Sequence, residues 1–182
     1  MTKTRWKIIV SSCLAFALSW LSMSAVLLKP SEQDEVFAPA KGFYAPNFTL
    51  DKLDGPSFTL SDHIGKPILL TLWASWCSPC KAEMPTFNQV YQELGPENVL
   101  VLGVNVTSQD DPANVKAFVE ENRLSFPVLM DTQGEVADLY RLRGLPMTYF
   151  IDSQGKITDV IVGGPLSAGT VRSIFNELLQ EN

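Results

Sequence analysis

Residues 76–80 of this chain read Trp-Cys-Ser-Pro-Cys, and two cysteines separated by two residues are the strongest candidates for chemistry in the sequence. Residues 68–74, just upstream, form a continuous apolar run, the pattern of a strand buried on both faces. Downstream, Met84, Phe87, Val90, Tyr91 and Leu94 recur at a helical period across residues 81–94. Cys77 therefore falls at a strand-to-helix junction, where unpaired backbone N–H groups and the positive end of the helix dipole stabilise a thiolate. Cysteines so placed titrate at about 3.5 to 7.5 instead of about 8.5. Two intervening residues let the second sulfur close onto the first within one helical turn, so Cys77 and Cys80 can cycle between dithiol and disulfide. Pro79 suits a first turn, where no backbone donor is needed. Other uses of the pair fit less well. Zinc takes about four ligands, and residues 43–182 hold two cysteines and one histidine. Haem attachment needs a histidine after the second cysteine, where Lys81 stands. A purely structural disulfide would not require this junction.

The elements that must position the pair alternate along the chain. Residues 48–53 and 57–60 are short alternating runs around Asp54-Gly55, a dipeptide that favours a tight hairpin turn. After the cysteine-bearing helix, residues 99–106 read as a second buried strand, 112–122 as a helix and 126–130 as a short strand. A short helix over 135–141 follows, then a hairpin of 147–151 and 156–162, and a closing helix over 168–179. Alternating strands and helices that end in an antiparallel pair predict an α/β sandwich on a mixed sheet.

Residues 8–28 are 21 positions without a charge, preceded by Lys3, Arg5 and Lys7. As a helix they would span roughly 31 Å, the thickness of a bilayer's hydrocarbon core. A cleaved signal peptide is the alternative, with Ser22-Met23-Ser24 as its best cleavage site. The length of the apolar run and its continuation through Ala25 to Leu28 favour an uncleaved signal-anchor. Its flanking charges put residues 1–7 in the cytoplasm and the rest outside. Cys13 reads as an apolar cysteine within that span. Residues 29–42 are polar and proline-containing, a tether, so the folded domain is expected over 43–182. That domain carries nine Lys and Arg against seventeen Asp and Glu, a net charge of −8. With no basic run to neutralise phosphates, it is not expected to bind nucleic acid.

Trp73-Ala-Ser-Trp-Cys-Ser-Pro-Cys-Lys81 resembles the thioredoxin superfamily. Ala45-Pro-Asn-Phe-Thr-Leu50, Cys80-Lys-Ala-Glu-Met-Pro85 and Gly144-Leu-Pro-Met-Thr-Tyr-Phe-Ile-Asp152 are similar, more narrowly, to its membrane-tethered TlpA/ResA/DsbE branch. The resemblance covers residues 43–182 and implies a thioredoxin-like fold with an N-terminal hairpin and an inserted strand and helix between about Val99 and Met130. It implies thiol–disulfide exchange without a cofactor. Pro146 would be the family's cis-proline, lying against the active sulfur, and Leu145 would face the bound partner beside Trp76. Glu83 would be the acid three residues after the second cysteine, on the face of Cys80, where it could exchange a proton with the resolving thiol. The alternative role for Glu83 is complementing the helix dipole. Thioredoxin's own buried acid, six residues before the first cysteine, is Thr71 here, so its role passes to Glu83. Pro85 would kink the helix. His63 reads as a surface or capping residue.

The same resemblance implies client proteins with disulfides, apocytochrome c or copper-site assembly proteins, and a membrane thiol reductase of the DsbD/CcdA type as electron donor. Two other functions can be set beside this one. A peroxidase shares the Ala-Pro-Asn-Phe-Thr-Leu opening, but its PxxxTxxC setting is broken by Leu70 and Ala74. A redox-inert binding module would not need both Cys77 and Cys80.

Overall fold

The computed structural model describes residues 36–180. The expected N-terminal stretch 1–7, the span 8–28 with Cys13, and residues 29–35 of the tether lie outside them. Among the described residues no helix is long and apolar enough to cross a membrane.

A small hairpin of β1 (Thr49–Leu50) and β2 (Phe58–Thr59) precedes a mixed sheet of β3 (Ile68–Trp73), β4 (Leu100–Asn105), β5 (Val128–Met130), β6 (Met147–Ile151) and β7 (Ile157–Val162). The order across the sheet is β5-β4-β3-β6-β7, with β3, β4 and β5 parallel to one another and β6 antiparallel to both its neighbours, β3 and β7. Four α-helices are described: α1 (Ser78–Leu94), α2 (Pro112–Glu121), α3 (Glu135–Leu139) and α4 (Ala168–Gln180).

Strands β3 and β4 are buried along their whole length, which is why they lack a polar face. Ile68, Leu70 and Leu72 pack on one side with Phe58, Leu60, Val136 and Tyr140. Leu69 and Trp73 pack on the other with Met84 and Phe87 of α1, Val115 of α2 and Val171 and Phe175 of α4. Gly103, mid-β4, is what lets Trp73 and Met84 sit so close. A Cβ there would lie 3.1 Å from Phe126 and 3.2 Å from each of Trp73 Nε1 and the Met84 methyl.

Two expectations change. Asp54-Gly55 does not make a tight turn: the register Thr49↔Thr59 and Leu50↔Phe58 leaves residues 51–57 as the connection. After β1 the chain leaves its hairpin partner for the open edge of β5, where Met130 N–H donates to Asp51 O (2.9 Å) and Leu53 N–H to Val128 O (2.8 Å). Pairing that edge satisfies backbone groups that a two-residue turn would leave unpaired. The folded unit also reaches back to Val36, so residues 36–42 belong to it. Tyr44 N–H donates to Val36 O (3.1 Å), Gly42 N–H to Ile157 O (2.8 Å), and Lys41 pairs with Asp159 (2.9 Å).

The register of the sheet decides where chemistry can occur. Trp73 at the end of β3 lies opposite Asn105 at the end of β4, Leu72 lies opposite Met147 at the start of β6, and Met147 opposite Val162 at the end of β7. Four connections therefore leave the sheet at one edge: 74–77, 106–111, 144–146 and 163–167.

Candidate active site

Helix α1 begins three residues earlier than its apolar period indicates, at Ser78, with Cys77 as its N-cap. Cys77 Sγ accepts from the Cys80 N–H at 3.3 Å, and Pro79 occupies the first turn. No acidic residue lies in that turn to oppose a thiolate. Cys77 and Cys80 are joined as a disulfide, with Cα atoms 5.3 Å apart. The two sulfurs are unequal in access: Cys77 is 5% exposed and Cys80 fully buried. Cys77 opens on a groove of about 520 Å³ lined also by Trp76, Pro79, Gln109, Arg143 and Leu145. The indole of Trp76 stands 58% exposed at the rim, its Nε1–H donating to Gln109 O at 2.8 Å.

Pro146 is buried and its bond to Leu145 is cis. No backbone hydrogen bond ties Gly144 or Leu145 to the rest of the described chain, so their N–H and C=O groups are open to another strand. Thr71 is buried, and its hydroxyl accepts from Thr148 Oγ1 at 3.0 Å across the β3–β6 pair. No acid stands at that position. α1 is unbroken through Pro85. His63 stacks on Phe58 with ring centroids 4.2 Å apart, outside the residues that line the groove.

Glu83 is fully buried one turn after Cys80. Its Oε2 accepts from Leu166 N–H at 3.2 Å, and Oε1 has no hydrogen-bond partner in the described chain. Burial pushes its pKa up to about 7, against the weaker opposite pull of the Leu166 N–H. A carboxyl raised toward neutrality is placed to give and take a proton readily.

Sequence reasoning missed the group that holds the cysteine loop. Asp110 Oδ2 accepts from Ser75 N–H (2.6 Å) and Asn105 Nδ2 (2.8 Å), and Oδ1 from Ser75 Oγ (2.6 Å) and Asp111 N–H (2.8 Å). Thr107 Oγ1 completes the set, donating to Asn105 Oδ1 at 2.9 Å. Burial raises the Asp110 pKa, but the hydrogen bonds from Asn105 and Ser75 outweigh it and hold the carboxyl below its usual range. Asp110→Ala leaves four donors without their acceptor and is expected to cost about 2 to 3 kcal/mol in urea denaturation at pH 7. The depressed folded pKa makes this contribution present above the ordinary carboxylate range. It is lost as pH falls through the folded value, so the gap between wild type and variant closes in acid.

A helix-capping cysteine bonded to a buried one at the sheet edge, beside a cis-proline loop, defines a thioredoxin-like thiol–disulfide oxidoreductase. The AhpC/TSA family profile matches residues 42–160. The ResA thiol–disulfide oxidoreductase of Geobacillus thermodenitrificans is 39% identical over 129 residues, covering 71% of this chain and 73% of that protein. The ResA of Oceanobacillus iheyensis is 33% identical over 180 residues, 97% of this chain and 91% of its own length. Among solved structures, StoA of Bacillus subtilis superposes with a TM-score of 0.61 at 28% identity, covering 70% of this chain and 95% of StoA. The exposed lipoprotein thioredoxin Etrx1 of Streptococcus pneumoniae does so with a TM-score of 0.64 at 31% identity, covering 73% and 100%. The chain belongs to the AhpC/TSA family and, within it, to the ResA-type thiol–disulfide oxidoreductases.

Proposed function

We propose that this protein reduces disulfides in extracytoplasmic client proteins while held at the membrane by residues 8–28. The observation that carries the reading is the groove, where one accessible sulfur sits beside the unpaired backbone of Gly144 and Leu145. An extended client segment pairs there, with Leu145, Pro146 and Trp76 as its contacts, and brings its disulfide to Cys77. The Cys77 thiolate attacks one client sulfur, forming a mixed disulfide and releasing the other sulfur as a thiolate. Cys80 then loses its proton to Glu83 and attacks Cys77 Sγ, closing the Cys77–Cys80 disulfide and releasing the second client thiolate. The client gains two electrons, and a membrane thiol reductase of the DsbD/CcdA type restores the dithiol.

The reducing direction is supported by Glu83. An ionised carboxylate one turn from Cys80 disfavours the thiolate form and makes the dithiol a stronger reductant. The reduction potential of Cys77–Cys80 is therefore expected nearer about −270 mV than about −120 mV at pH 7. A value at the oxidising end would reverse the proposed direction. Clients in cytochrome c or metal-site maturation are the class proposed. A Cys80→Ser protein, which stalls at the mixed disulfide, should retain such clients and release them on treatment with dithiothreitol. Retention of none would remove the client assignment.

A further inference from the structure

Glu83 meets its hydrogen-bond donor because the chain between β7 and α4 crosses it with no side chain in the way. A Cβ on Gly164 would lie 2.5 Å from Glu83 Oε2 and 3.0 Å from Pro146 Cγ. Gly163, its neighbour, has φ 88° and needs glycine for its backbone, but Gly164 is outside the left-handed region. Its missing side chain is explained by the space that Glu83 and Pro146 occupy. The segment is fastened at both ends of this contact: Gly163 N–H donates to Pro146 O (2.8 Å), and Leu166 N–H to Glu83 Oε2 (3.2 Å). One four-residue strap thus touches both the cis-proline loop and the buried acid.

We propose that Gly164 is a positioning residue for disulfide exchange: by leaving the strap bare where it crosses α1, it seats the Glu83 carboxyl against the Leu166 N–H and joins the acid to the Pro146 loop. The inference rests on the proton-exchanging role given to Glu83 above. No charged side chain of α1, β6, β7 or α4 shifts the titration of Glu83, whose environment is set by burial and the Leu166 N–H. The thiols nearest in sequence are Cys80, one turn earlier on α1, and Cys77, its partner. A methyl at 164 is opposed by the end of a flexible side chain, so the carboxyl gives way and loses the Leu166 donor. A buried carboxylate without that donor is harder to ionise.

The test follows the rate at which the full-length reduced protein reduces a disulfide-linked model peptide, from pH 5 to 9. Gly164→Ala is expected to raise the pH midpoint by about half a unit or more, and the same substitution in a Glu83→Gln protein to displace nothing. A midpoint that stays or falls, or an equal displacement without Glu83, overturns the proposal. If Glu83→Gln alone leaves the pH profile unchanged, it is the role of Glu83 that has failed. Should Gly164→Ala not fold, the pair Gly164→Ala with Glu83→Asp, whose carboxyl is one methylene shorter, is expected to fold and show the raised midpoint. Failure of both to fold would assign Gly164 to packing against Pro146 and overturn the positioning role.

Discussion

Cys77→Ser is expected to reduce insulin at the uncatalysed rate, with the fold intact. Only Cys77 presents a sulfur to the groove, because Cys80 is fully buried behind it and cannot take over the first attack. At the start of α1 the sulfur already accepts the Cys80 N–H, and a thiolate there gains from the helix dipole as well. A serine hydroxyl in the same place is a far weaker nucleophile without an activating base. Equal rates for wild type and variant would eliminate the enzymatic mechanism. Circular dichroism of both proteins under reducing conditions separates lost chemistry from lost structure.

Glu83→Gln carries the second large effect, in two measurements. In exchange kinetics, wild type is expected to speed up as pH rises through about 7, since in the proposed mechanism the ionised carboxylate accepts the Cys80 proton. The variant lacks that inflection and runs about a hundredfold slower above it, a typical general-base contribution. In stability the sign is opposite. The folded pKa is raised from 4.5 to about 7, so over that window the unfolded chain sheds a proton that the folded chain keeps. Wild-type stability therefore falls with rising pH and levels off above about 7. Glutamine keeps an acceptor for the Leu166 N–H and has no charge to desolvate. The variant should match wild type near pH 4 and exceed it by on the order of 3 kcal/mol at pH 8. Parallel urea titrations at the two pH values measure this difference, and a constant gap would mean that Glu83 does not titrate near neutrality.

Residues whose neighbours are close in sequence were legible beforehand. The apolar run before Cys77 and the helical period after it placed the pair at the head of α1, and a three-residue spacing put Glu83 one turn beyond Cys80. The apolar period alone begins only at Lys81, because Ser78 and Pro79 add nothing to it; the proline suited to a first turn carries the helix start back to Cys77. What the sequence withheld depends on distant strands meeting. Asp110 reaches Ser75 across 35 positions, and Leu166 reaches Glu83 across 83, so neither contact leaves a local pattern. The Asp54-Gly55 turn failed for a related reason: the free edge of β5 competes for the residues that a tight hairpin would have used. Gly163-Gly164-Pro165 does stand out as a break after a strand, but its function emerges only when that break lies over an acid on another element.

The unequal exposure of the two sulfurs has a consequence for traffic. With Cys80 sealed inside, every electron enters and leaves through the same doorway at Cys77. Whatever recharges the dithiol and whatever is reduced by it must call there in turn. They are rivals for one surface, and the protein works as a shuttle between two visitors that never meet on it.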